Sequence, residues 1–232
     1  MSSVHSSTQT RQYTPTVNVS KVAGIATALV AVNILLMLVG SYTPLADLGG
    51  LLFSNYFVGI ATFAATIGGG FWVSNKGVKA GNVPIAGAGV TLIQFGYTLL
   101  GSAILMLVPA ALRIPALAIT TVITGLLTAG IVVVVYRTDR SFVRWQTYSR
   151  GLFIAGFAAG AVGFFINPML MIFASVLFFL GFVTDLVYEI WAVKESKYAS
   201  ALRNAIGIYV AVMGVFIHIL RLVLYVLSLL NN

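Results

Sequence analysis

Cysteine is absent from the 232 residues, histidine occurs twice, and only five side chains are acidic. Without cysteine no disulfide can form, and cysteine usage says nothing about the compartment. Haem, iron–sulfur and zinc centres draw mainly on Cys and His clusters, so such a centre would need ligands from another subunit. His5 stands in a polar leader and His218 deep in an apolar segment. Intramembrane hydrolysis needs a Ser–His pair or two aspartates, and only one acid lies deep in an apolar run, so the chain is not expected to be an enzyme. No cofactor and no resident metal are expected.

Charge is scarce too, at 8% of residues against roughly a quarter in an average soluble domain. With 59% hydrophobic residues, no water-soluble interior is large enough to hide the apolar side chains. Each crossing of a bilayer takes about 20 mostly apolar residues. Apolar runs at 22–39, 51–73, 85–108, 115–136, 151–166, 169–191 and 205–230 predict an all-α, polytopic bundle of seven transmembrane helices. The fifth run is short and is expected to extend backwards beyond Gly151, and Asn167-Pro168 marks the turn before the sixth.

Lysine and arginine separate by side. Arg11, Lys21, Lys76, Lys79, Arg137, Arg140, Arg144, Arg150, Lys194, Lys197 and Arg203 fall on one face, and Arg113 alone on the other, with Arg221 inside the last helix. The positive-inside rule makes the basic face cytoplasmic, which puts the N-terminus inside and the C-terminus outside. Anionic lipid headgroups then suffice as partners for the net charge of +8, and nucleic acid is not implied. Trp72, Trp145 and Trp191 fall near the same face, where interfacial anchors belong. Residues 1–21 read as a flexible polar cytoplasmic tail and 22–232 as the membrane domain. No A-x-A cleavage site follows the first run, so it is read as a span and not as a signal peptide. The Asn18-Val19-Ser20 sequon would lie on the wrong side for glycosylation.

Glycines recur within the spans, notably Gly68 to Gly70, Gly87, Gly89, Gly96, Gly101, and Gly156 with Gly160. Close helix packing is the favoured reading, and a broken binding helix at Gly68 to Gly70 the sharper one. Arg137, Arg140 and Arg144 follow helical spacing beside Trp145, which predicts a surface helix resting on lipid headgroups.

Asp185 and Glu189 sit one turn apart in the sixth run. Counted back from Lys194, Asp185 lies roughly 13 Å inside the basic boundary and Glu189 roughly 7 Å. An acid at that depth normally faces a cavity or a partner. Glu189 is expected to snorkel or to pair with Lys194 or Arg203. Asp185 is the candidate functional group, its bland alternative being a buried acid satisfied by backbone or Thr184. His218 shares a helix face with Ala211, Gly214 and Arg221, roughly 8 Å beyond Asp185 along the membrane normal, and reads first as a packing residue. Asp185, Glu189, His218 and Arg221 form the set of ion- or proton-sensing candidates.

The C-terminal half resembles the Bax inhibitor, or transmembrane Bax inhibitor motif, family. Arg137-Thr138-Asp139-Arg140-Ser141-Phe142 is similar to its TKRDLS-like loop. Gly181-Phe182-Val183-Thr184-Asp185 stands where that family has (G/L)-x-x-x-D-T. Tyr198-x-x-Ala201, Ile208-Tyr209 and Phe216-x-x-x-Leu220-Arg221 resemble its last span. The likeness spans about residues 137 to 225. It implies seven helices and two aspartates forming a proton-sensitive pair linked to a pH-dependent calcium leak. Asp185 matches the first aspartate, whereas the second falls on Ala211 and the family's asparagine on Gly214. A single-aspartate cation leak, with calcium as the transported ion, is therefore one expectation. The alternative is a non-transporting accessory or scaffold subunit of a membrane complex. In the leak reading, Ala211 is expected to leave open volume opposite Asp185.

Overall fold

The computed structural model describes residues 17–230. His5, Arg11 and Asn232 lie outside them. Among the described residues nine α-helices follow in order: α1 (Val19–Gly40), α2 (Pro44–Ser54), α3 (Tyr56–Phe63), α4 (Gly69–Lys79), α5 (Val83–Met106), α6 (Ala110–Arg137), α7 (Trp145–Phe165), α8 (Met169–Lys194) and α9 (Ala201–Leu230). A π-helical turn, Ala64–Gly68, joins α3 to α4 without unwinding the chain. Seven helical stretches among the described residues are long and apolar enough to cross a membrane, the second being Tyr56–Lys79. The protein is thus an integral, multi-pass helical membrane protein, and no strand occurs among the described residues.

Local chemistry sets the boundaries. Asn18 caps α1, its side chain accepting from the Lys21 amide at 2.9 Å, so the helix starts within the stretch read as polar tail. Thr43 caps α2, and Pro44 occupies the first helical position, where its missing N–H costs nothing. The second apolar run, read as continuous from residue 51, is interrupted. Asn55 leaves helical geometry at φ −100° and ψ 132°, and its Oδ1 accepts from the Phe57 and Val58 amides to start a new helix. The fifth span begins at Trp145, six residues ahead of the apolar run. The Asn167 side chain, accepting from the Met169 amide at 2.9 Å, builds the expected turn before α8.

The surface helix read from the arginine spacing does not form. Arg137 is the last residue of α6, Arg140 lies in an irregular loop, and Arg144 caps α7. A distant residue explains the stop. Lys194 Nζ donates to the carbonyls of Val135, at 3.2 Å, and Thr138, at 2.8 Å, so a cation closes the end of α6 where further helix would have stood. Phe142 is buried against Trp145 and anchors the loop.

The apolar windows of α5 and α9 are mostly buried, while those of the other five spans are less than a third buried. Their exposed surface is Val, Leu, Ile and Phe, which lipid tails can cover and water cannot. α9 packs on α1, α4, α5, α6 and α8 and is the central column. Backbones approach closely where α4 meets α5, since a side chain on Gly70 would meet the Gly89 carbonyl at 2.7 Å, and where α2 meets α5, since a side chain on Gly49 would overlap the Leu99 carbonyl. Each end of the bundle is tied across helices. At the basic end the Val17 amide donates to Ser196 Oγ at 3.4 Å. At the far end Arg113 Nη1 donates to the Ser41 carbonyl at 2.6 Å, with its guanidinium over the Tyr42 ring.

Candidate functional site

The stretch α3–π–α4 lies beside α7 as one side of a wedge. At the far end the two meet: the Tyr56 ring fills the notch left by Gly160, and its hydroxyl donates to the Phe157 carbonyl at 2.8 Å. α3 packs on α7 there, but α4 makes at most marginal contact with it toward the basic end. The gap is a cavity of about 320 Å³. Phe63, Ala64, Ile67, Gly68 and Phe71 line one wall, and Gln146, Ser149, Arg150 and Phe153 the other. α8 contributes Phe182, Asp185 and Glu189, and α9 contributes Arg203, Gly207 and Val210. Small residues make the room, since nothing stands within 4 Å of where a Gly68 side chain would be.

The two acids of α8 have different fates. Glu189 is 3% exposed and paired with Arg203. Lys194, the other partner considered, is engaged with carbonyls of α6 and its following loop. Gly207 permits the pair, because a side chain there would overlap the Glu189 carboxylate. The Arg203 guanidinium also lies 3.5 Å from the Tyr198 ring centroid. Burial, with the Tyr188 hydrogen bond adding to it, pushes the Tyr198 phenol up to about 12, so it stays neutral beneath the cation. Lys197 Nζ donates to Tyr188 Oη at 2.6 Å and completes this closed cluster.

Asp185 faces the cavity and makes no hydrogen bond among the described residues. Thr184 does not satisfy it, since its hydroxyl donates to the Leu180 carbonyl one turn back, at 2.6 Å. Arg203 and Arg150 are the cations whose fields reach Asp185. The site therefore holds one engaged acid and one free acid, separated by a helical turn.

The remaining candidates lie elsewhere. His218 Nδ1 is 2.8 Å from the Gly214 carbonyl, and the ring packs between Phe179 and Phe182, outside the Asp185 cavity. Arg221 lines a second cavity of about 280 Å³ near the far end, with Ile104, Leu107, Val108, Leu224, Tyr225 and Ser228. Ala211 does not open volume opposite Asp185. It is fully buried, and Gly207 and Val210 line the cavity in its place. Among the described residues no three His, Cys, Asp or Glu side chains converge as a metal-holding group. Arg137, Arg140 and Trp145 stand at the basic end without forming one helical face.

Sequence reasoning passed over a buried network on α1, α5 and α9. Tyr209 Oη donates to Asn33 Oδ1, while Asn33 Nδ2 donates to Thr98 Oγ1 at 3.1 Å and to the Gln94 carbonyl at 3.3 Å. Tyr97 Oη donates to the Val210 carbonyl at 2.8 Å. Asn33, the one amide side chain within the first apolar run, was the available signal. No family model matches the chain, and neither a curated protein nor a solved structure matches it.

Proposed function

We propose that this protein is a multi-pass membrane protein of Bax inhibitor type that provides a pH-sensitive cation leak, with Asp185 as its single titrating element. The observation that carries the reading is the free carboxylate of Asp185 facing a cavity at intramembrane depth. An unpaired acid in a span is costly, and one that faces a cavity has a use for its charge. In this reading the basic end is cytoplasmic, the N-terminus is inside and the C-terminus outside, and anionic headgroups meet Arg137, Arg140, Arg144 and Trp145. Cations enter from the cytoplasmic side toward Asp185, and protonation removes the charge that draws them. Calcium is held less firmly than in a paired-aspartate site, because Glu189 is committed to Arg203 and hard cations take six to eight oxygens.

A second reading, an accessory or scaffold subunit without transport, draws on glycines that no other helix among the described residues covers. Gly24, Gly87, Gly125, Gly130 and Gly151 each have open space where a side chain would stand. Such positions suit close approach by another membrane helix. Liposomes containing the parent or Asp185→Asn protein separate the two. Loss of cation flux in the variant, with assembly intact, supports the leak, and absence of flux from both leaves the scaffold.

A further inference from the structure

The two cavities lie on one face of the same helix. Gly207, Val210, Gly214, His218, Arg221 and Tyr225 recur along α9 at three- and four-residue steps, which places them in one stripe. The lower part of the stripe borders the Asp185 cavity and the upper part the Arg221 cavity. From Val210 to Arg221 is roughly 16 Å along the helix. Between them stand Gly214 and His218, and over these lies the ring of Phe182 from α8.

Phe182 is held from every side. A side chain on Gly214 would overlap its ring, so the glycine is the seat into which the ring fits. Phe153 of α7 meets it edge-on at 4.8 Å between centroids, and Phe63 of α3 at 6.2 Å. His218 lies on the other side at 5.8 Å. Phe63, Phe153 and Phe182 are also the aromatic walls at the inner end of the Asp185 cavity. The cavity thus ends where this cluster begins, and His218 is beyond it.

We propose that Phe182, seated against Gly214, is the plug that separates the Asp185 cavity from the far half of the stripe, so that the path along α9 is closed in this structure. A ring packed among rings offers neither a polar partner for an ion nor space for its water, which is how an apolar constriction blocks permeation. Gly214 is the residue that sets the plug's position. What passes when the plug leaves rests on the cation-leak reading above; the barrier itself does not.

The parent has no cysteine, so single introduced thiols give a clean readout of access. His218→Cys protein in membrane vesicles is exposed, from the basic-end side, to a membrane-impermeant methanethiosulfonate, with Asp185→Cys as the positive control. With Phe182 in place, the thiol at position 218 is expected to resist labelling from that side. With Phe182→Ala, and separately with Gly214→Ala, which evicts the ring without removing it, the labelling rate is expected to rise by at least about tenfold as the constriction wets. Phe182→Val, which shortens the side chain enough to vacate the Gly214 seat while staying apolar, serves if the alanine variant does not fold, and the same rise in labelling is expected of it. Equal rates with and without the seated ring, whether both fast or both nil, overturn the plug. Cation flux through Phe182→Ala and Phe182→Ala/Asp185→Asn, measured in parallel, tests the leak on its own: opened labelling with no flux in either contradicts the leak and leaves the plug standing.

Discussion

Glu189 on α8 and Arg203 in the first turn of α9 form a buried ion pair near the basic end, and Gly207, one turn on, leaves clear the space in which the carboxylate lies. Removing one partner strands the other charge. Arg203→Ala is expected to cost about 3–5 kcal/mol, whereas replacing both residues by apolar side chains of similar volume costs far less. Gly207→Ala forces the carboxylate aside and also destabilises. Thermal unfolding of the detergent-solubilised variants checks all three, and a mild Arg203→Ala would show that the pair does little for stability.

The amide of Asn33 anchors the polar network between α1, α5 and α9, and among the described residues Tyr209 is the only donor to its Oδ1. Tyr209→Phe leaves that oxygen unsatisfied and is expected to cost about 1–2 kcal/mol. Adding Asn33→Leu to Tyr209→Phe removes the unpaired group and recovers part of the loss. A denaturation midpoint for each variant decides, and additive losses would contradict the network.

Most of the fold was legible from hydropathy, because a bilayer demands helices of fixed length and the chain supplies seven apolar runs. The Asn167-Pro168 turn was legible for the same local reason. What escaped depended on partners distant in sequence. The end of α6 is set by Lys194, which no local pattern around Arg137 announces. The break at Asn55 lies between apolar stretches whose hydropathy reads as one run. Asp185 was identifiable as an intramembrane acid, but the cavity it faces arises from the divergence of α4 and α7, and this placed the open volume beside Gly207 and not at Ala211.

Tyr198 gives a pH dependence outside the membrane spans. Its phenol ionises at about 12 in the fold against an ordinary value of 10. Below pH 10 both folded and unfolded chains keep the proton and its contribution to stability is complete. Above that the unfolded chain releases the proton first, so stability falls as pH rises from 10 to about 12. Tyr198→Phe is expected to flatten this part of an unfolding profile taken in detergent. An unchanged slope would show that the hydroxyl is not held as described.

The seven-span order places the loop at Arg140 and the loop at Glu195 at one end of the bundle and Ile166 at the other. Single cysteines at Arg140 and Glu195 should be labelled from the same side of intact vesicles, the cytoplasmic side in the proposed orientation. A cysteine at Ile166 should be labelled only from the opposite side. Labelling of all three from one side would remove the seven-crossing arrangement.

The most direct test of the central claim is cation flux through purified protein in liposomes, followed with an ion-sensitive dye across a pH series, for the parent and Asp185→Asn. The account predicts that parent flux declines as the medium is acidified, because protonation neutralises the one free carboxylate facing the cavity, and that Asp185→Asn is low and flat with pH. Identical flux and identical pH profiles in the two proteins would contradict it.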